Sequence, residues 1–430
     1  MTQTRKKVAF HTLGCKLNFS ETSTLARSLN PDLYERVDFS SLADIYVINT
    51  CSVTEAADRK CRQAITKTIR KAPGSYIIVV GCYAQLKPGE ISAIKGVDLV
   101  LGVNERFNLH KYIDRIEKEA PEFSYTCTDH DQSRFESSFS LGDRTRSFMK
   151  VQDGCDYMCS YCTIPLARGK SRNQSIEKCV LDAKKIAANN IKEIVITGVN
   201  IGDFGKSTGE NFYTLLKELV KVEGIDRYRI SSIEPNLLTD DIIKLVNDEP
   251  ALLPHFHIPL QSGNNRILGL MRRRYQREVF EERVQKIKEL MPFAAVGADL
   301  IVGFPGESEE EFNDTSNFIS KLPLSYLHVF SFSPRKDTPA ALLPGPVGAA
   351  EKHRRSKLLQ RLSENRKLGF YRENTGKSYK VLWENIPENG FVSGFTENYI
   401  RVFKRSSEEI TGTIEEVTLG RMNAYGDFII

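Results

Sequence analysis

Hydrophobic and polar positions fall into two kinds of block over the first 120 residues. Runs dense in β-branched and aromatic side chains, VAFHT (8–12), IYVIN (45–49) and YIIVVG (76–81), read as strands. Between them, residues 54–71 (TEAADRKCRQAITKTIRK) and 105–119 have helical composition. This alternation predicts an α/β domain, an open parallel sheet with helices on its faces, over 1–120. Residues 121–145 are polar and turn-rich and read as a linker. From 146 the pattern repeats at larger scale. Strands are predicted at 147–152, 193–198, 227–233, 255–260, 298–304 and 326–332, with helices at 175–189, 211–222, 238–247, 276–290 and 308–321. Six strand–helix units predict a (β/α)6 partial barrel, since a full barrel of this kind uses eight. Residues 351–372 read as one helix closing a 146–372 domain. After 373 short strands (YKVLW, NYIRVF, ITGTI) are broken by Gly and Asn, which predicts a small β-barrel over 373–430.

Composition and charge narrow the classes. Of 430 residues, 40% are hydrophobic and 27% charged, an ordinary globular balance. No apolar run approaches the roughly 20 residues of a membrane span. The start, MTQTRKKVAF, is basic but lacks a following apolar stretch, so it does not read as a signal peptide. A cytoplasmic protein without membrane contact is expected. The net charge of +5 is too small to demand a nucleic-acid partner. The basic residues are nevertheless concentrated. Residues 351–372 carry eight Lys/Arg against two Glu, and ARGKSR (167–172) and RRRY (272–275) add two more runs. By contrast, 373–430 carries nine Asp/Glu against six Lys/Arg. Any one basic run is most often a solvated face. Nine cysteines without an export signal point to metal or redox chemistry rather than disulfides.

Two cysteine groups stand out. In VQDGCDYMCSYCTIP, Cys155, Cys159 and Cys162 follow a predicted strand at spacings of four and three. Three thiolates suit a [4Fe–4S] cluster with one iron left open to an outside ligand. Zinc, with a histidine as fourth ligand, is the rival. The second group is Cys15 (HTLGCKLN), Cys51 (VINTCSVT) and Cys82 (VVGCYAQ), each just past a predicted strand. Carboxyl ends of parallel strands are neighbours, so these three can converge. The alternative is three small buried residues packing at strand ends. Cys61, Cys127 and Cys179 read as structural or incidental.

The C-x3-C-x2-C segment resembles the radical S-adenosylmethionine (SAM) signature. TGVN (197–200), SSIEP (231–235) and DLIVGFPGE (299–307) resemble that superfamily's SAM-contact segments in the expected order. Over nearly its whole length the chain is similar to the radical SAM methylthiotransferases. That resemblance implies an open-iron cluster on Cys155, Cys159 and Cys162, and an auxiliary [4Fe–4S] cluster on Cys15, Cys51 and Cys82. It implies SAM contacts at Tyr161, Asn200, Ser232, Glu234, Gln261, Gly303 and Pro305, with the chemistry carried by cofactors rather than by a protein acid or base. GCKLN and YCTIPLARGKSRN resemble the class that methylthiolates N6-threonylcarbamoyladenosine beside the tRNA anticodon. The C-terminal stretch resembles a TRAM domain. The resemblance further implies tRNA as partner, bound through its anticodon arm, and an electron donor such as flavodoxin or ferredoxin; it leaves the sulfur donor open. Arg168, Arg272, Arg273 and Arg274 are the candidate RNA contacts, with Arg168 and Gln261 also expected near the SAM pocket. The acidic C-terminal stretch fits a basic protein better than RNA, so methylthiolation of a ribosomal-protein aspartate stays an alternative, as does isopentenyladenosine in tRNA.

Overall fold

The structure is a computed structural model that describes residues 4–113, 124–126, 134–384, 388 and 390–430. The N-terminal sheet comprises β1 (Lys6–Thr12), β2 (Tyr34–Val37), β3 (Ile45–Thr50), β4 (Tyr76–Gly81), β5 (Leu99–Leu101) and β6 (Ser124–Thr126). Its order is β2-β1-β3-β4-β5-β6 and every pairing is parallel. β3 is buried at all six positions, as a strand covered by helices on both faces must be. Ser124–Thr126 lies inside the stretch read as a linker, yet it extends this sheet by pairing with β5. The expected helix over 105–119 is a 3-10 turn at Glu105–Asn108 followed by a helix at Leu109–Ile113; its remainder lies outside the described residues.

The central domain holds β7 (Ser138–Phe139), β8 (Ser147–Lys150), β9 (Gln152–Asp153), β10 (Arg172–Asn173), β11 (Glu193–Thr197), β12 (Arg227–Ile230), β13 (His255–Gln261), β14 (Ala295–Val302) and β15 (Tyr326–Ser331). Parallel pairing runs β8-β11-β12 and β13-β14-β15. The two halves meet through the Tyr228–Leu252 bridge and the Ile233 N–H bond to the His257 carbonyl. These six strands form the expected partial barrel, open along β15. Its helices start where side chains cap them: Ser175, Asn211, Thr239 and Ser308 each accept from a first-turn N–H, and Ser308 with Glu311 completes a capping box. One large apolar cluster fills the space between barrel and helices.

Helix Ala349–Glu373 lies against β15, where Ser363 Oγ accepts from Leu327 N–H and donates back to its carbonyl. The C-terminal sheet follows: β16 (Ser378–Trp383), β17 (Phe391–Thr396), β18 (Arg401–Arg405), β19 (Ile414–Thr418) and β20 (Phe428–Ile429), ordered β19-β16-β17-β18-β20. The ITGTI reading was displaced: residues 410–413 turn, and the strand begins at Ile414. Trp383, fully buried, anchors this sheet's own core. The sheet is bolted to the barrel by charge. Arg227 and Arg229 donate to the carbonyls of Lys380, Phe395 and Glu397, and Arg146 bridges Glu193 and Glu384. Among the described residues no helix is long and apolar enough to cross a membrane.

Candidate active site

β1, β3 and β4 are adjacent, so Cys15, Cys51 and Cys82 sit side by side at their carboxyl ends, next to the point where the sheet order reverses. Cys15 caps helix Lys16–Arg27 and Cys82 opens helix Cys82–Leu86. Gly81 enters that turn at φ +101°, and a Cβ there would lie 2.3 Å from Asn49 Oδ1. Cys51 is pushed up to about 12, first by burial and then by the charges of Cys82 and Cys15, so the three sulfurs share one environment. Cys61 donates its S–H to the Cys51 carbonyl at 3.4 Å, a structural contact. Cys179 is buried in the central core, and Cys127 lies outside the described residues.

The loop after β9 carries the other triad. Gly154, at φ +70°, lets the chain pass the 169–170 backbone; a Cβ would meet the Lys170 carbonyl oxygen at 2.0 Å. The loop is pinned by Ser160, whose N–H and hydroxyl donate to the Met271 and Leu270 carbonyls. Each sulfur accepts an N–H: Cys155 from Tyr157 at 3.3 Å, Cys162 from Ile164 at 3.4 Å, Cys159 from the Arg273 guanidinium at 3.1 Å. Burial pushes the Cys155 thiol up to about 11 and the Cys162 thiol to about 12. Iron binding must displace those protons, which ties cluster assembly to pH.

The triads are close. Thr163, next to Cys162, donates to the carbonyl of Ser52, next to Cys51, at 3.4 Å. Arg335, from the loop after β15, bonds Ser52 Oγ at 2.8 Å and Asp58 at 2.9 Å. Between the domains lies a buried charge network. Glu21 meets Arg106, Lys150 and Arg168, and Asp153 meets Lys150, Arg168 and Arg172. Burial pushes the Glu21 carboxyl up, but Arg106, Arg168 and Lys150 outweigh it and hold it down to about 2. Four cations face two carboxylates here. A buried surplus of positive charge is costly unless an anion sits beside it, and the charges of Arg168 and of Cys15 and Cys82 act on one another. A cluster held by Cys15, Cys51 and Cys82 would place that negative charge beside Arg168, and Cys155, Cys159 and Cys162, each accepting an N–H, offer a second donor set of the same kind, so both cysteine sets fit iron–sulfur clusters.

This corrects the reading of Arg168. It is 3% exposed and joins domains instead of facing phosphate. Arg168→Met leaves Glu21 and Asp153 short of their charge partner and is expected to cost about 3–5 kcal/mol. Thermal unfolding checks this; a transition within a degree of the unsubstituted protein would show the network to be dispensable.

The RRRY run is corrected in part as well. Arg273 is nearly buried, paired with Glu234 and bonded to Cys159, so it belongs to the cluster loop. Arg274 lies over the Tyr157 ring at 4.2 Å, and Arg272 is exposed at φ +57°. Tyr161 meets Phe304 edge to face at 6.3 Å, beside Gly303 and Pro305. Gly303 N–H donates to Glu307, itself held by Arg355. Asn200 is buried with its backbone N–H on Gln152, and Gln261 ends β13 at φ +65°. Ser232, Thr197, Gly198 and Cys15 line a cavity of about 580 Å³ at the barrel mouth.

That cavity also contains residues that sequence reasoning missed. Alternate positions of β13 and β15 bring His255, His257, Tyr326 and His328 to the lumen, with Asp299 between them. Asp299 Oδ1 lies 2.8 Å from His257 Nε2 and 3.3 Å from His328 Nδ1, while Tyr326 OH lies 2.8 Å from His255 Nε2. The donor atoms of His257, Asp299 and His328 fall within 4.8 Å of one another, a metal-sized group whose members already satisfy one another by hydrogen bonds. The period-two placement of His in HFHIP and of Tyr and His in YLHVF was the available signal.

Comparison with known proteins matches residues 7–102 to Uncharacterized protein family UPF0004 and 149–319 to the Radical SAM superfamily. The chain is 41% identical to Threonylcarbamoyladenosine tRNA methylthiotransferase MtaB of Bacillus subtilis, over 96% of this chain and 93% of that one. It is 40% identical to the Aquifex aeolicus protein of the same name, over 94% and 98%. A tRNA-2-methylthio-N(6)-dimethylallyladenosine synthase of Endomicrobium trichonymphae is 30% identical over 97% and 99%. Among solved structures, the radical S-adenosylmethionine methyltransferase TsrM of Kitasatospora setae, with cobalamin and a [4Fe–4S] cluster bound, superposes with TM-score 0.58 at 14% identity, over 79% of this chain and 77% of that one. That likeness is one of fold.

Proposed function

The chain belongs to the tRNA methylthiotransferases of the radical SAM superfamily, and from that premise we propose that it methylthiolates C2 of N6-threonylcarbamoyladenosine beside the anticodon. When bound, SAM and the iron–sulfur clusters supply the one-electron cleavage and the methylthio group. Two SAM are consumed per product, and a small carrier such as flavodoxin or ferredoxin delivers the electron. The protein's own residues hold, orient and shield. Cys155, Cys159 and Cys162 hold one cluster and leave an iron for SAM; Cys15, Cys51 and Cys82 hold the other. Tyr161 and Phe304 wall the adenine side, and Arg273, through Glu234 and Cys159, orients the loop. His257, Asp299 and His328 line the cavity onto which Cys15 opens, and there they would face the target adenosine.

The observation that carries this reading is the contact between the triads, Thr163 on the carbonyl of Ser52. A domain holding a separate cofactor for another purpose has no reason to dock its cysteine loops there. Two of the nine carboxylates of the C-terminal stretch are paired, Glu384 with Arg146 of the barrel and Glu415 with Lys404 of the same sheet, and Arg401 is exposed.

Mass spectrometry of nucleosides from tRNA of cells with and without the gene tests the proposal. The 2-methylthio form is expected to vanish and N6-threonylcarbamoyladenosine to rise in its place. Loss of methylthio-isopentenyladenosine instead would reassign the nucleoside, and unchanged tRNA would overturn the reading.

A further inference from the structure

A second cavity, of about 360 Å³, opens in the seam between the barrel's free edge, helix Ala349–Glu373 and the C-terminal sheet. We propose that it is a second nucleotide site, which takes the base of a nucleotide adjoining the target adenosine. The inference rests on the tRNA reading above and adds a recognition element to it.

Continuity is the first argument. Tyr326, His328 and Tyr399 line both this cavity and the one that contains Cys15. A nucleoside seated at the reaction site therefore has its chain neighbour within reach of the seam, one wall away. That wall is aromatic on both sides.

The chemistry of the lining is the second. Tyr326, Phe395, Tyr399 and Tyr371 supply ring faces, and Lys367 and Arg401 supply charge at the rim. None of the residues lining it is acidic. Aromatic faces bordered by cations are how single-stranded nucleotides are held, base on ring and phosphate on charge. An apolar protein side chain has no use for the two cations. The edge strand continues the track: alternate residues Tyr326, His328 and Phe330 face the opening, and Phe330 stays 48% exposed, a large ring left uncovered beside the reaction cavity.

The third argument is that the dividing ring is held rigidly at a cost. Tyr399 has φ +67°, a left-handed backbone that a bulky residue adopts only when its surroundings enforce it. They do: Tyr399 N–H bonds the Thr396 carbonyl, and the neighbouring Asn398 side chain is buried against Phe293 and Asn374. The ring is held between Phe395 at 4.7 Å and 17° and His255 at 4.5 Å, with the Arg229 guanidinium 4.8 Å away. It therefore stands as a fixed wall between the two cavities, and little ordering is left for the moment of binding. The C-terminal sheet thereby contributes a positioning residue to the reaction cavity.

Binding of a threonylcarbamoyladenosine-containing anticodon stem–loop tests the proposal, with the protein carrying its clusters. Affinity is measured for the intact RNA and for two analogues with an abasic nucleotide on the 5′ or the 3′ side of the target. One abasic analogue is expected to bind about tenfold more weakly. Tyr399→Ala is expected to lose about tenfold on intact RNA and nothing further on that analogue, whereas Tyr399→Phe keeps the ring and the affinity. Equal binding of all three RNAs by the unsubstituted protein overturns the inference, and so do losses from Tyr399→Ala and the abasic nucleotide that multiply. The comparison on unsubstituted protein decides even if Tyr399→Ala fails to fold. Methylthiolation of the intact stem–loop is run alongside. Its absence would overturn the proposed function, while its presence with no abasic effect sinks the second site alone.

Discussion

Cys51→Ala protein, reconstituted with iron and sulfide, is expected to hold about four irons per chain in place of about eight, to go on cleaving SAM reductively, and to form no methylthiolated tRNA. The separation follows from where the cysteines sit. Cys51 belongs to the N-terminal sheet, at the end of a strand buried on both faces, and its loss removes one of the three proposed ligands of that cluster while leaving the 155–162 loop its own contacts. That loop is pinned by its own bonds to Leu270, Met271 and Arg273. Iron analysis and the yield of 5′-deoxyadenosine are read on the same sample. Retention of about eight irons would remove Cys51 from the ligand set. Loss of SAM cleavage together with the iron would mean that the two sites cannot be emptied independently.

Cys159→Ala gives the complementary result. About four irons should again remain, now on the N-terminal triad, and both SAM cleavage and tRNA product should fall to background. Cys159 is the sulfur that Arg273 reaches, and Arg273 also holds Glu234. Removing this sulfur therefore leaves a nearly buried guanidinium with one partner fewer, and some thermal destabilisation accompanies the iron loss. Reductive SAM cleavage at the unsubstituted rate would be incompatible with Cys155, Cys159 and Cys162 as the SAM-binding cluster's ligands. Read as a pair, the two variants separate a two-cluster enzyme from a one-cluster enzyme with an inert N-terminal domain.

Much of this architecture is written locally along the chain. Cys155, Cys159 and Cys162 are legible as a group because eight residues of one loop carry all three, and no distant contact is needed to bring them together. β3 and β4 are legible because strands covered on both faces must be nearly continuous runs of apolar residues. Helix starts are legible where Thr54 or Ser308 caps them, since a cap acts on the N–H groups two or three residues away.

Helix Lys16–Arg27 escaped because its buried face is polar. Asn18, Ser20, Glu21, Thr22 and Ser23 are all covered, so no apolar stripe marks it; Glu21 is balanced by Arg106, Lys150 and Arg168, and Asn18, Ser20 and Thr22 by hydrogen bonds to nearby carbonyls. β2 and β5 are too short to register as pattern. Convergence of Cys15, Cys51 and Cys82 was a geometric inference from strand ends, and the strand order had to come from the folded sheet.

The arginines mark the limit most clearly. Arg168, Arg273 and Arg274 read alike along the chain as basic runs. Folding buries the first between domains, puts the second on a cysteine sulfur and lays the third over a tyrosine ring. A charge carries no information about its partner until the chain brings one within a few ångströms. By itself the sequence determined the fold class, the barrel and the grouping of Cys155, Cys159 and Cys162, because those depend on periodicity and on close spacing. Which charges are structural, which aromatic rings line the reaction cavity, and that two separate cysteine sets meet at one seam were decided by tertiary structure alone, because each depends on contacts between residues far apart along the chain.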